Sequence, residues 1–239
     1  MSRASRVSAG LERLAQRFGL PPEASAQLER LLALVADDPH APTTVRDPAT
    51  ALDAHVSDAL VALDLEAVRS AARIADLGAG AGFPGLVLAA ALPQAQVALV
   101  ESNTRKCEFL ERAVAAMELS NVAVVGERVE SWGAGIGAHD LVTARAVAPL
   151  NVLVEYAAPL LGAGGALVAW KGRRDEAEEA DGAAAAALTG LEAVEIVPVK
   201  PWAGAEHLHL HVLRKIGTTP NRFPRRPGIA SKRPLRAPA

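Results

Sequence analysis

The stretch IADLGAGAGFPGLVLAAALP, residues 74–93, constrains the fold more than any other part of the chain. Gly78, Gly80, Gly82 and Gly85 fall within eight residues, between one apolar run and a second at helical spacing. Glycine accepts positive φ and lets backbone approach a ligand closely. The pattern therefore reads as a strand at Arg73–Leu77, a tight loop, and a helix at Pro84–Leu92. The rhythm then repeats, with strands at Val97–Glu101, Val122–Val125, Asp140–Ala144 and Gly165–Trp170. Helices are expected at Arg105–Leu119 and Leu150–Leu161, and in the charged stretch GRRDEAEEADGAAAAAL. Strands near Leu191–Pro198 and His207–Arg214 are joined by only VKPWAGAE, which suits an antiparallel pair. Such alternation implies an α/β fold, a mainly parallel sheet with helices on both faces. Ligands of these sheets bind outside the carboxyl ends of the strands, where the glycine loop lies.

Upstream, Leu11, Leu14 and Phe18 recur at helical spacing, as do Leu28, Leu31, Leu32 and Val35. A third helix is expected from Pro48 to Leu63, with Asp47 as its cap and Pro48 at its first position. Three parts follow: a helical cap (1–70), the sheet domain (71–213) and a tail (214–239). The tail holds eight of the 25 basic side chains and none of the 27 acidic ones, so the formal charge of −2 hides a basic segment on an acidic body. Its five prolines argue against a helix or central strand, and it reads as an extended, removable arm that faces a polyanion. No apolar run approaches the ~18–20 residues that cross a bilayer, and the N-terminus lacks a signal-type apolar core. A single cysteine, Cys107, excludes an internal disulfide and a cysteine-built metal site. His207, His209 and His211 alternate along a strand, which spreads the outer two about 13 Å apart, too far to share a metal ion. The expectation is a cytoplasmic, monomeric protein without a metal or a membrane partner.

Two cofactors compete for the loop. Gly80-Ala-Gly82-Phe-Pro-Gly85 satisfies the dinucleotide pattern G-x-G-x-x-G, and Glu101 follows at the next strand end. Against a nicotinamide cofactor, that match starts late for the strand, and nothing downstream resembles a hydride-transfer site. Asp76 would repel a pyrophosphate but attract the ammonium of S-adenosylmethionine. Glu101 suits either cofactor, since a carboxylate accepts hydrogen bonds from both ribose hydroxyls. S-adenosylmethionine fits better.

For the acceptor, the fourth strand ends in TARAVAPL (143–150). Many amino-methylating enzymes have Asn/Asp-Pro-Pro-aromatic at this place. Arg145 stands here instead, a lone cation at the mouth. A ring nitrogen such as guanine N7 carries a free lone pair and needs no base, so positioning suffices.

The chain at this point resembles the GidB/RsmG family, bacterial 16S ribosomal RNA guanine-N7 methyltransferases. The matching segments are TTVRDP with HVSDAL (43–60), IADLGAGAGFPGLVLA (74–89), LVESNTRKCEFL (99–110), RVE (128–130), TARAVAPL, LVAWKG (167–172) and FPRRPGIASKRPL (223–235). The resemblance implies a class I, Rossmann-like methyltransferase with seven strands, an antiparallel last strand and a helical N-terminal extension. It implies S-adenosylmethionine as donor and a guanine of 16S RNA, free or in the small subunit, as acceptor, with no role for DNA. By position it carries over Gly78, Phe83, Val129, Glu130 and Arg145 as cofactor contacts, with Glu101 at the ribose. Phosphate contacts are expected at Lys171, Arg222, Arg225, Arg226, Lys232 and Arg233. One departure stands out: where the family often has Asn-Leu-Thr, this chain has Ala41-Pro42-Thr43-Thr44. Two other readings remain open, a nicotinamide-dependent oxidoreductase and a non-catalytic RNA-binding assembly factor.

Overall fold

The computed structural model describes residues 3–237. Residues 1, 2, 238 and 239, the outermost parts of the expected cap and tail, lie outside the described residues. The sheet has seven strands: β1 (Arg73–Leu77), β2 (Gln96–Val100), β3 (Val122–Val125), β4 (His139–Arg145), β5 (Leu161–Lys171), β6 (Leu191–Val199) and β7 (Leu208–Lys215). Their order is β3-β2-β1-β4-β5-β7-β6. The first five pair in parallel. β7 enters between β5 and β6 and runs antiparallel to both. The order reverses at β1 and β4, so their carboxyl ends flank the crevice in which an open α/β sheet binds ligands.

Apolar periodicity decides what covers the sheet. On one face the helices Arg3–Phe18, Ala24–Asp37, Gly85–Ala91 and Thr104–Met117 share a core that includes Leu28, Leu31, Leu32, Leu86 and Phe109. Every residue of Gly85–Ala91 is buried, because this helix lies between the sheet and the N-terminal helices. On the other face, Leu150–Ala157 and Glu176–Thr189 close over Leu153, Val154, Leu167 and Leu213. The second of these has its ends chemically marked. The Asp175 carboxylate accepts from the Ala177 and Glu178 amides, and Gly190 ends the helix at φ 81°. Among the described residues no helix is long and apolar enough to cross a membrane.

Some boundaries differ from expectation. The path from Pro48 to Asp64 is helical and capped by Asp47, which accepts from the Thr50 amide at 3.0 Å. It is not uniform, however: Leu52–Ser57 forms a π-helical turn. β5 begins at Leu161, earlier than expected, because the preceding helix stops at Ala157. His207 precedes β7 and sits at φ 60°, so it does not alternate with His209 and His211 along the strand.

The C-terminal segment overturns its expectation most clearly. β7 continues through Arg214 and Lys215, and the Lys215 ammonium lies buried against the Ala158 carbonyl at 2.6 Å. Beyond it the chain packs back against the body. Phe223 and Ala230 are buried, and Ile229–Lys232 forms one helical turn. The prolines fall outside that turn, so they do not oppose it. Arg225 makes a bidentate pair with Glu155, Nε to Oε1 at 2.8 Å and Nη2 to Oε2 at 2.5 Å. Glu155 is only 1% exposed, so this arginine neutralises a buried charge and is not available to a phosphate.

Removing one partner of a buried pair leaves an uncompensated charge, which typically costs about 3–5 kcal/mol. Arg225→Ala is therefore expected to lower the unfolding free energy in urea by about that amount, while Arg222→Ala, at an exposed side chain, changes it little. Equal effects of the two variants would show that the Glu155 pair does not anchor the segment.

Candidate active site

The glycine loop is held from beneath. Asp76, next to the last residue of β1, is fully buried; its Oδ1 accepts from the Thr143 hydroxyl at 2.8 Å and its Oδ2 from the Gly85 amide at 3.1 Å. The carboxylate thereby ties β1 to β4 and fixes the first turn of the helix after the loop. This corrects the expected contact with an ammonium, since both oxygens are engaged inside the protein and neither faces a cleft. Burial pushes its pKa up to about 7. Gly82 is likewise structural: at φ 89°, a Cβ there would stand 2.2 Å from Leu86. Gly80 is the open member of the loop. It has φ 56°, and an added Cβ would meet only the Gly78 carbonyl, at 3.6 Å.

Two clefts flank the loop. The first, about 200 Å³, is walled by Gly78, Glu101, Val129, Glu130, Tyr156 and Ser231. The Glu101 carboxylate is oriented there by two backbone donors, Gly80 at 3.3 Å and Asn103 at 2.9 Å. Val129 and Glu130 occupy a short 3-10 turn after β3, on the wall of this cleft. The second cleft, about 630 Å³, lies across the loop and is bounded by Thr43, Arg46, His55, Phe83, Lys106 and Arg145. Val147 leans over Gly78 between them, with a methyl 2.7 Å from where a Cβ would be.

Arg145 is not the lone cation the sequence suggests. Its Nη1 donates to the Asp58 carboxylate at 2.8 Å and to the Ala54 carbonyl at 3.0 Å, and Nη2 lies 3.1 Å from His55 Nδ1. Its guanidinium carbon is 5.5 Å from the centre of the Phe83 ring, which stacks on His55 with 4.4 Å between centroids. His55 Nδ1 lies 3.1 Å from both Arg145 Nη2 and the Ala54 carbonyl, and Nε2 lies 2.9 Å from Thr43 Oγ1, so both ring nitrogens are engaged. Burial and the adjacent guanidinium lower the His55 pKa to about 4, so the imidazole is neutral at pH 7. Burial raises the Asp58 carboxyl and the Arg145 hydrogen bond opposes that shift.

His55, Asp58 and Thr43 escaped the sequence reading of the site. The signal was a polar pair at i and i+3 within HVSDAL, on one helix face among buried Val56, Ala59 and Leu60. The departing segment Ala41–Thr44 forms the outer wall of the larger cleft. Lys171 donates to Glu178 at 2.5 Å and to the Ala148 carbonyl at 2.9 Å, so its charge is answered within the protein rather than offered to phosphate. Arg222, Arg226, Lys232 and Arg233 are exposed.

Comparison with known proteins bears on what this site serves. The GidB family model, described as rRNA small subunit methyltransferase G, matches residues 25–208. The ribosomal RNA small subunit methyltransferase G of Chloroflexus aggregans is 41% identical, covering 88% of this chain and 90% of that protein. The protein of the same description from Rubrobacter xylanophilus is 45% identical, covering 80% and 76%. The solved structure of a predicted O-methyltransferase from Agrobacterium tumefaciens superposes with a TM-score of 0.51 at 26% identity, over 70% of this chain and 81% of that one.

The buried histidine gives the site a pH signature. With a folded pKa of about 4 against 6.5 for free imidazole, the unfolded chain takes up the proton first. This contribution to stability is complete above pH 6.5 and is lost as pH falls toward 4. Asp76 acts oppositely, because its raised pKa of about 7 lets the fold bind a proton that the unfolded chain lacks. The difference in stability between wild type and His55→Asn isolates the histidine. It is expected to fall by about 3 kcal/mol between pH 7 and pH 4, measured by urea denaturation at each pH. A difference independent of pH would contradict the placement of His55 as a buried neutral base.

Proposed function

Since the chain belongs to the GidB family, the rRNA small subunit methyltransferase G family, we propose that it transfers a methyl group from S-adenosylmethionine to N7 of a guanine in 16S ribosomal RNA. The family makes the chain a methyltransferase, which sets aside the nicotinamide and non-catalytic readings that the sequence left open. The observation that carries the donor assignment is the Glu101 carboxylate, aimed into the smaller cleft beside an open glycine backbone.

The residues present fit this donor. Glu101 accepts from two vicinal ribose hydroxyls, and Val129 supplies an apolar flank for adenine with Glu130 beside it. Gly78 and Gly80 let the loop backbone approach the amino-acid part. Asp76 acts only by holding the loop. S-adenosylmethionine supplies, when bound, an electrophilic methyl group on a sulfonium centre.

The chain's own part in the reaction is placement. Guanine N7 presents its lone pair in the plane of the ring, so no proton has to leave before attack. That agrees with an end of β4 that offers a fixed guanidinium, the imidazole beside it, His55, being engaged by Arg145, Ala54 and Thr43. Arg145 is held by Ala54, His55 and Asp58 of the single helical path Pro48–Asp64 and faces the larger cleft, where it orients the base against the donor. Its charge is answered by Asp58, which limits its own repulsion of the positive charge that an N7-methylated guanine carries.

Glu101→Ala is expected to weaken S-adenosylmethionine binding by about 10- to 150-fold, the loss of a charge-assisted hydrogen bond of about 1.5–3 kcal/mol. Calorimetric titration with S-adenosylmethionine and with NAD checks this. Wild-type affinity in the variant removes Glu101 from the donor site, and binding of NAD alone overturns the donor. Mass analysis of small-subunit RNA from a strain lacking the gene is expected to show one 7-methylguanosine fewer; unchanged RNA overturns the acceptor.

A further inference from the structure

The C-terminal segment that the sequence presents as a free arm is part of the smaller cleft. Ser231, on the short turn Ile229–Lys232, lines the same space as Glu101 and Val129. Its hydroxyl lies 3.2 Å from that of Tyr156, and the Gly228 amide donates to Glu130 Oε1 at 2.8 Å. The segment is pinned on both sides of this contact. Before it stands the Arg225–Glu155 pair; after it, Asn151 Nδ2 donates to the Leu235 carbonyl at 2.6 Å and the Ala237 amide to Asp181 at 2.9 Å. Between the pins little apolar surface holds it, Ala230 being its one buried residue.

The same stretch carries Arg226, Lys232, Arg233 and Arg236, all exposed and none in an ion pair among the described residues. Arg236 also lines a neighbouring cleft of about 580 Å³, closed from the β4 side by Ala146, Val147 and Ala148. Ala146 is itself held at φ 56° and borders both this cleft and the larger cleft of the site. Exposed cations thus sit on the backbone that completes the wall of the smaller cleft.

We propose that residues 226–236 couple the two ligands of the methyl-transfer reading above: RNA phosphates gripped by Arg226, Lys232, Arg233 and Arg236 steady the wall at Gly228 and Ser231, so RNA and the S-adenosyl ligand bind cooperatively. A ligand that orders a segment lowers the cost of ordering it for the next ligand. The coupling is reciprocal, each ligand tightening the other by the same factor.

The test uses the full chain, S-adenosylhomocysteine as an unreactive ligand, and small-subunit RNA purified from a strain lacking the gene. In the wild type, saturating RNA is expected to tighten S-adenosylhomocysteine by about 5-fold or more, within the usual range of coupling. The ligand in turn should tighten RNA by the same factor. Replacing the four cations together by alanine keeps Arg225, Phe223, Ala230 and the Gly228 amide in place. This variant should bind S-adenosylhomocysteine alone like the wild type and show a coupling factor near one. Its log–log salt slope for RNA should flatten by about 3, at ~0.7 per lost phosphate contact. Absence of coupling in the wild type overturns the proposal, as does full coupling in the variant or loss of its affinity for S-adenosylhomocysteine alone. Failure of the wild type to bind S-adenosylhomocysteine at all would instead overturn the donor assignment on which the proposal rests.

Discussion

The ion pair between Arg145 and Asp58 joins two parts of the chain that lie far apart in sequence. One partner ends the central strand β4 and the other lies on the helical path of the N-terminal cap, 87 residues apart. Both side chains are largely buried, so the desolvation of each is offset only by the other and by the surrounding donors and acceptors. The indole of Trp170, from the end of β5, donates to the Asp58 carbonyl at 2.8 Å and fixes the same helix from a second strand. Thr43, His55 and Phe83 then fall into place around the guanidinium. The helical cap is therefore a wall of the site.

A second buried carboxylate organises the opposite half. Asp76 reaches from β1 to Thr143 on β4 and to the Gly85 amide, so loop, helix and two strands share one fixed point. Gly85 is required there because a Cβ would stand 2.7 Å from Asp76 and 2.3 Å from Leu99. With the loop held from below, Gly80 stays open above it, and its amide orients Glu101. Glu101 and its two amide donors are thus set by contacts around β1 and β2, and Arg145 by contacts across the chain.

That difference explains what could be read in advance. The strands, the glycine turn and the Asp47 cap are signalled by residues close together in the sequence, where periodicity and turn chemistry speak directly. Arg145 was legible as a cation at a strand end, but its partners were not, since nothing local in TARAVAPL points to HVSDAL. The π turn at Leu52–Ser57 leaves no compositional trace. In the tail, a count of charges and prolines cannot distinguish Arg225, closed on a buried glutamate, from exposed Arg226 beside it. Asp76 was read for its charge, when its burial and two donors give it a structural task.

The central claim is that the cap works through Arg145, holding its guanidinium where the acceptor arrives. A double-mutant cycle on Asp58→Ala and Arg145→Ala tests it most directly, read as single-turnover methyl transfer to small-subunit RNA at a temperature where all four proteins are folded. If Asp58 acts by positioning Arg145, each single variant slows transfer and the double variant is no slower than Arg145→Ala alone. If the two losses simply multiply, the residues act independently, and the cap does not work through Arg145.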